Sequence, residues 1–202
     1  TVRSVHSTVA AFLLCEQRDP GSPWRPYLDI LPRSFPTFPL LFGPEDLSLL
    51  QGSASLAAIE ARRASIAHDH HVLCARVPEL RCFSRENFLH ARLAVTSRIF
   101  GLTVDGKKTE ALVPLADVLN HRHPPDVDWV YDDEAGAFVM TAIRPIAAGE
   151  PIHDSYGPKC NSRFFVSYGF ALEDNEDVEA HGSPMADRGE PGGREDARGA
   201  LV

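Results

Sequence analysis

The sequence predicts an α+β protein in which helices and strands occupy separate parts of the chain. Two observations indicate this class: helical patterns dominate the first hundred residues, and short strand patterns follow from Leu112 onward. A regular alternation of strands and helices is not visible, so the patterns do not predict a doubly wound parallel sheet. With 202 residues and 44% hydrophobic composition, the chain is long enough for one domain with a core, followed by a tail.

The N-terminal part is predicted to be helical with one irregular interruption. An apolar cluster within residues 5–16 indicates a first helix, which Asp19-Pro20-Gly21 ends. Residues 24–39 hold too many prolines for a helix interior, because proline lacks the amide donor and clashes with the preceding turn. A short helix is expected to begin at Pro44, with acidic residues in its first turn, and a longer helix covers residues 53–75.

The patterns then change from helix to strand. Ser84 is predicted to cap a further helix. The buried stripe of that helix is predicted to consist of Phe88, Ala91, Val95 and Ile99. Residues 129–131 and 138–140 are apolar and aromatic, and they flank an acidic loop that contains Gly136. This arrangement predicts a β-hairpin in the last third of the body.

Charge is distributed unevenly along the chain. The formal net charge is −8, and from Glu173 onward there are nine acidic and three basic residues. Residues 174–202 also contain almost no large apolar side chains, so they cannot bury enough surface to offset the entropy of ordering and are predicted to be disordered. The remaining body is nearly neutral and has no basic stripe, so nucleic acid is not an expected partner.

Metal and membrane sites are not predicted. The four cysteines are widely spaced and form no Cys-x-x-Cys pair, which leaves reduced, intracellular thiols as the simplest interpretation. His123 and the run His68-Asp69-His70-His71 have no partner cluster and are interpreted as surface or helix-face residues. No stretch approaches the roughly 18 apolar residues of a membrane span. The chain begins at Thr1, so we expect the true N-terminus to lie upstream.

Three segments near the end of the body carry the functional signal. They are ADVLNH at residues 116–121, GEPIHDSYG at 149–157 and NSRFFVSYGF at 161–170. Each segment alone is typical of a turn, a cap or a strand end. Together and in this order, they resemble the SET-domain protein methyltransferases, in the branch that includes the Rubisco large-subunit lysine methyltransferase and the actin-histidine methyltransferase.

The resemblance implies a domain organisation. Residues 1–173 would form a SET domain, in which 1–100 are mostly an iSET-like helical insertion and 101–173 are the catalytic β core of short strands. Members of the branch also have an N-terminal cofactor segment and a helical substrate-binding domain after the core. Because neither is recognisable in these residues, we expect the sequence to be a fragment or a truncated gene model.

The resemblance also implies the residues of a cofactor site. Asn120 and His121 would bind S-adenosylmethionine, through backbone groups and the Asn side chain, with Asp117 beside the same pocket. Ser97 and Arg98 match a Ser-Arg pair that contacts the cofactor in relatives. The alternatives are local turn capping for Asp117 and Asn120, and an exposed helix position for the Ser-Arg pair.

Tyr156 matches the catalytic tyrosine of the branch. A phenol with a reference pKa of about 10 is a poor base at neutral pH, so its expected role is to orient the amine and contact the polarised methyl group. Tyr168 and Phe170 match aromatic residues of the lysine channel; core packing is the alternative for both.

The expected function is S-adenosylmethionine-dependent methylation of lysine in a non-histone protein by a monomeric enzyme without a metal. A histidine acceptor and an inactive binding module of the same fold remain alternatives. A hydrolase that uses Asp117, His121 and Ser155 is disfavoured, because no Gly-x-Ser-x-Gly segment is present.

Overall fold

The computed structural model describes residues 1–175, which divide into two compact units. The helical unit consists of residues 1–97 together with the segment from Lys159 to the end of the described chain. The β unit is Arg98–Pro158. The predicted disordered tail lies outside the described residues from residue 176 onward. That residues 1–173 form one SET domain stays a prediction.

The helical unit contains six α-helices. They are α1 (Val5–Arg18), α2 (Arg25–Leu28), α3 (Pro44–Ser48), α4 (Ala54–Arg76), α5 (Arg85–Thr96) and α6 (Asn161–Tyr168). Single 3₁₀ turns lie at Pro39–Leu41 and Pro78–Cys82. The predicted helices at 5–16, from Pro44 and at 53–75 are therefore confirmed, and the proline-rich segment contains only short helical pieces.

The core of the helical unit is apolar and is built mainly from α1, α4 and α5. Phe88 of α5 and Ile59 of α4 are completely buried, and Leu13 of α1 is 2% exposed. Burial of large aliphatic and aromatic side chains of this kind contributes roughly 1.5–3 kcal/mol per residue. The helix repeat places these side chains on one face of each helix, so the three faces form a common core.

Helix α5 begins at the predicted cap. The Ser84 hydroxyl accepts a hydrogen bond from the Asn87 amide at 3.0 Å, and the Asn87 side chain accepts one from the Ser84 amide at 3.0 Å. This reciprocal capping box satisfies two donors that a helix start would otherwise leave unpaired. The predicted stripe was wrong at Ile99: α5 ends at Thr96, and Ile99 is the first residue of a strand. The strands therefore begin before Leu112, where the sequence patterns placed their start.

The β unit contains six short strands. They are β1 (Ile99–Val104), β2 (Lys107–Leu112), β3 (Asn120–His121), β4 (Val127–Asp132), β5 (Ala137–Ala142) and β6 (His153–Asp154). Strands β1 and β2 pair antiparallel, as do β4 and β5, whereas β3 and β6 pair parallel. The predicted hairpin is confirmed as β4–β5, and Tyr131 lies opposite Phe138 in its register.

The two hairpins of the β unit are joined by aromatic rings. Phe100 of β1 contacts Trp129 and Phe138 edge to face, with both ring centroids 5.2 Å from its own. Offset and edge-to-face contacts of this kind contribute roughly 0.5–1.5 kcal/mol beyond the area that they bury.

Within residues 1–175, no helix is long and apolar enough to cross a membrane. The same residues contain no group of three or more metal-ligand side chains.

Candidate active site

The parallel pairing of β3 and β6 brings together two of the segments singled out in the sequence. Asn120 lies opposite His153, and His121 lies opposite Asp154. The pairing continues one residue further, where the Arg122 amide donates to the Asp154 carbonyl at 2.9 Å. Residues more than thirty positions apart in the chain therefore become neighbours, and Tyr156 lies two residues after the end of β6.

Tyr156 is held against the strand that carries Asn120 and His121. Its amide donates to Nδ1 of His121 at 3.1 Å, and its hydroxyl donates to the Leu119 carbonyl at 2.9 Å. The rings of His121 and Tyr156 also lie together, with centroids 5.2 Å apart. Because Nδ1 of His121 accepts a hydrogen bond, the neutral ring carries its proton on Nε2.

The hydroxyl of Tyr156 is kept in its neutral form. Burial raises the pKa of Tyr156 above its ordinary value; Arg98 opposes the shift, whereas the carboxylates of Asp154 and Asp117 add to it. The phenol is therefore protonated at neutral pH, which excludes a role as a phenolate base. It serves instead as an oriented hydrogen-bonding group whose direction is set by the Leu119 carbonyl.

Asp117 and Arg98 form a second part of the site. A short 3₁₀ turn at Ala116–Val118 carries Asp117, whose side chain is completely buried. One terminal nitrogen of Arg98 donates to the Asp117 carbonyl at 2.7 Å and lies 3.7 Å from its carboxylate. The contact joins residues 19 positions apart, so Asp117 has a role beyond local turn capping.

The turn that carries Asp117 begins with a strained residue. Leu115 has φ +75° and ψ −39°, a backbone conformation that residues with a Cβ rarely adopt, and its side chain is 72% exposed. Such conformations cost about 1–3 kcal/mol and persist only where the surrounding structure holds them. Here the hydrogen bond from Arg98 holds the carbonyl of Asp117, two residues after Leu115.

The groups around Arg98 and Asp117 can bind a polar ligand. Asn120 is exposed to solvent, and its side chain carries both an amide donor and an acceptor. Nε of Arg98 is buried and makes no hydrogen bond to any residue in the 1–175 segment. A buried guanidinium N–H without an acceptor is costly, and a ligand carboxylate would satisfy it.

The other predicted site residues belong to the helical unit. Ser97 ends α5, and its hydroxyl donates to the carbonyls of Leu93 at 3.0 Å and Ala94 at 3.3 Å. Tyr168 and Phe170 both pack on the completely buried Phe164, with centroids 6.1 and 5.1 Å away. Both rings remain partly exposed, so packing on Phe164 leaves part of each ring surface open.

One residue of the β unit was missed by the sequence analysis. Asp126 has a completely buried carboxylate that pairs with Arg122, Arg144 and His153. Nothing in its local sequence distinguishes it from the exposed Asp128, because burial of a charge depends on partners that are distant in the chain. The one available signal was its position at the start of an apolar strand pattern.

Curated proteins similar in sequence include methyltransferases with different acceptors. The chain is 30% identical over 179 residues to the actin-histidine N-methyltransferase of Rhinolophus ferrumequinum, covering 83% of this chain and 30% of that protein. It is 29% identical over 176 residues to the ribosomal lysine N-methyltransferase set10 of Schizosaccharomyces pombe, covering 84% of this chain and 32% of that protein. The chain thus spans about a third of the length of these relatives. No family model matches the chain.

Solved structures show the same fold. The SET domain of LSMT bound to lysine and AdoHcy superimposes with a TM-score of 0.69 at 23% identity, covering 83% of this chain and 41% of that one. Rubisco LSMT bound to AdoMet gives a TM-score of 0.67, also at 23% identity, with 84% and 40% coverage. Sequence and fold together confirm the resemblance drawn from the motifs: the chain has the SET-domain fold of the Rubisco large-subunit lysine methyltransferase-like branch.

Proposed function

We propose that this chain is the SET portion of an S-adenosylmethionine-dependent protein methyltransferase whose acceptor is a lysine side chain of a non-histone protein. The observation that carries the proposal is the junction of β3 and β6. There Tyr156 donates its amide to His121 and its hydroxyl to the Leu119 carbonyl, directly beside the exposed Asn120. The similarity to lysine and histidine methyltransferases supports the same reaction class.

The chemistry of the site fits this cofactor. S-adenosylmethionine ends in an amino-acid group, whose carboxylate would suit Nε of Arg98 and whose ammonium would suit the Asn120 amide oxygen. Asp117 would act mainly by holding Arg98 in place, since the two already form an ion pair. The role of Ser97 remains a proposal from the resemblance, because its hydroxyl caps the end of its own helix.

The bound sulfonium supplies an activated methyl group for an in-line displacement by an amine. The residues of the chain must orient that amine and favour its neutral form. A lysine amine with an ordinary pKa of about 10.4 becomes neutral most simply by desolvation among aromatic rings, and Tyr168 and Phe170 are our proposed lining. The neutral Tyr156 hydroxyl would fix the direction of approach, and such alignment supplies on the order of 7–11 kcal/mol at best.

Two observations favour different acceptors. The similarity to the ribosomal lysine N-methyltransferase set10 of Schizosaccharomyces pombe supports lysine. The similarity to actin-histidine N-methyltransferases supports histidine as the second candidate. The partner in either case is a protein; a monomeric state and an intracellular location stay predictions.

Cofactor binding is the first test. Calorimetric titration of the chain with S-adenosylmethionine should show binding, and Asn120→Ala should weaken it on the order of tenfold, because one hydrogen bond to a charged group is lost. Equal affinity in the two proteins would remove Asn120 from the pocket. A folded chain without any binding would favour the inactive module.

Turnover is the second test. Tyr156→Phe should lower the rate of methyl transfer on the order of 10²-fold while leaving cofactor affinity nearly unchanged, since an oriented polar group is lost from the reacting centre. Tyr131→Phe, which removes another half-buried phenol of the β unit, is the matched control. Actin and ribosomal proteins are the first acceptors to try, and amino-acid analysis would separate methyllysine from methylhistidine. Full activity in Tyr156→Phe would contradict the proposed mechanism.

A further inference from the structure

The carboxylate of Asp126 is the centre of a buried polar network in the β unit. One of its oxygens accepts hydrogen bonds from both Arg122 and Arg144. The other accepts from the His153 amide at 2.8 Å and lies 3.1 Å from Nδ1 of the same residue. A completely buried carboxylate is tolerated only when its lone pairs are satisfied, and here both oxygens have two partners.

The backbone of Asp126 makes the same connection. Its amide donates to the His153 carbonyl at 2.9 Å, and its carbonyl accepts from the Ile143 amide at 2.9 Å. Asp126 therefore contacts His153 through its amide and through its side chain. On its other side, β6 is paired with β3, so His153 is held between Asn120 and Asp126.

The strand pair β3–β6 needs support of this kind. Each strand has only two residues, and so short a pairing supplies few hydrogen bonds of its own. Yet β6 leads within two residues to Tyr156, whose amide and hydroxyl both bond back to the β3 segment. The position of the Tyr156 hydroxyl thus depends on where His153 is fixed.

The support that Asp126 gives to His153 depends on the negative charge of the Asp126 carboxylate. Arg122 and Arg144 approach the same oxygen of Asp126, so their guanidinium groups lie close to each other. Arg144 is also paired with Glu150 on the outer side of the network. Without the Asp126 charge, the two guanidinium groups would repel each other and the link to His153 would weaken.

We propose that Asp126 is a positioning residue for methyl transfer: through His153 it fixes the short β3–β6 pair and, with it, the orientation of Tyr156. This inference rests on the proposed function. It adds that the geometry of the reacting centre is set by a buried charge network on the side of β6 opposite Asn120 and His121.

The test is to follow Tyr156 directly in Asp126→Asn. The ionisation of Tyr156 is obtained by subtracting the alkaline absorbance titration of the same background carrying Tyr156→Phe, with circular dichroism confirming that each protein stays folded. In the unaltered chain burial raises the pKa of Tyr156. We expect Asp126→Asn to lower it toward the ordinary value of about 10 and to lower kcat on the order of 10²-fold, with KM and cofactor affinity little changed.

Two further variants separate positioning from charge and from folding. Glu150→Gln removes one negative charge from the same network but leaves the Asp126 contacts to His153, so it should move neither the Tyr156 titration nor kcat. His153→Ala keeps the carboxylate and both arginines, and it should shift Tyr156 in the same direction as Asp126→Asn by a smaller amount. If Asp126→Asn does not fold, the Tyr156 titration of His153→Ala decides whether the contact between Asp126 and His153 positions Tyr156.

The outcomes distinguish this inference from the proposed function. An unchanged Tyr156 titration in folded Asp126→Asn and His153→Ala overturns the inference, whatever the activity of Tyr156→Phe. An equal shift in Glu150→Gln overturns it as well, because charge alone would then explain the effect. A shift confined to Asp126→Asn and His153→Ala supports the positioning role. If Tyr156→Phe were then fully active, only the proposed function would fail.

Discussion

In the helical unit the buried side chains are mostly apolar, with Asp69 and Arg92 as the buried charged residues, whereas the smaller β unit buries the carboxylates of Asp117, Asp126 and Asp154. Among the buried apolar side chains of residues 1–175, only Leu102, Pro125 and Val127 lie in the β unit. The helical unit is therefore stabilised chiefly by removal of apolar surface from water. This contribution involves no charge and does not depend on the relative orientation of the groups. The β unit depends on charges that need partners in one geometry. The proposed catalytic tyrosine lies in the second kind of environment, where directional contacts can orient a hydroxyl.

The largest expected effect is on the apolar side of this comparison. Phe88→Ala should lower the free energy of unfolding by about 3–5 kcal/mol, because it leaves a cavity where a completely buried ring stood. Urea unfolding of the chain and the variant would measure it. Phe12→Ala is the matched control, since Phe12 is 43% exposed and its truncation should cost far less. Equal losses of unfolding free energy in Phe88→Ala and Phe12→Ala would contradict a closely packed helical core.

Two glycines with similar backbones sharpen the contrast in packing. Gly169, which ends α6, has φ +77°, and a Cβ there would lie 2.7 Å from a Phe38 ring carbon and 2.8 Å from the Thr37 hydroxyl. Gly169→Ala should cost roughly 2–4 kcal/mol, from backbone strain and from overlap. Gly136 in the β4–β5 turn has φ +60° but nothing within 4 Å, so Gly136→Ala should cost only the strain, about 1–2 kcal/mol. Thermal unfolding would show whether the difference exists; equal costs would contradict close packing at Gly169.

The smallest expected effect concerns charge in the β unit. A hydrogen bond from Arg144, followed by one from the Ala147 amide, lowers the pKa of Glu150 from 4.5 to about 2. Because the folded-state pKa is depressed, the stabilisation is present above about pH 4.5 and is lost as the pH falls through about 2. Glu150→Gln should therefore show a shallower loss of stability between these pH values than the unaltered chain. Because Glu150 lies at the surface, solvent screening keeps the effect small.

Unfolding free energies measured at several pH values would check this prediction. The exposed Glu134 in the β4–β5 turn offers the control variant Glu134→Gln, which should leave the pH dependence unchanged. Identical pH profiles for Glu150→Gln and the unaltered chain would contradict the contribution of the Arg144–Glu150 pair.

Much of the helical unit could be predicted from the sequence, because the signals are local. The cap at Ser84, the start at Pro44 and the apolar faces of α1 and α5 depend on neighbours within one or two helical turns. The sequence analysis extended the α5 stripe to Ile99 and expected strands only from Leu112, although β1 begins at Ile99. Both errors arose because helical spacing alone does not mark the end of a helix when no glycine or proline follows. The hairpin β4–β5 was predictable for the same local reason.

The sequence by itself determined the α+β class, the order of the motifs and the identity of Tyr156, Asn120 and His121 as candidates. Only the tertiary structure decided that Tyr156 is directed by Leu119 and His121, that Arg98 pairs with Asp117, and that Asp126 holds β6. The physical reason is range: helix and turn preferences act between neighbouring residues, whereas the burial of a charge depends on partners brought together from distant parts of the chain.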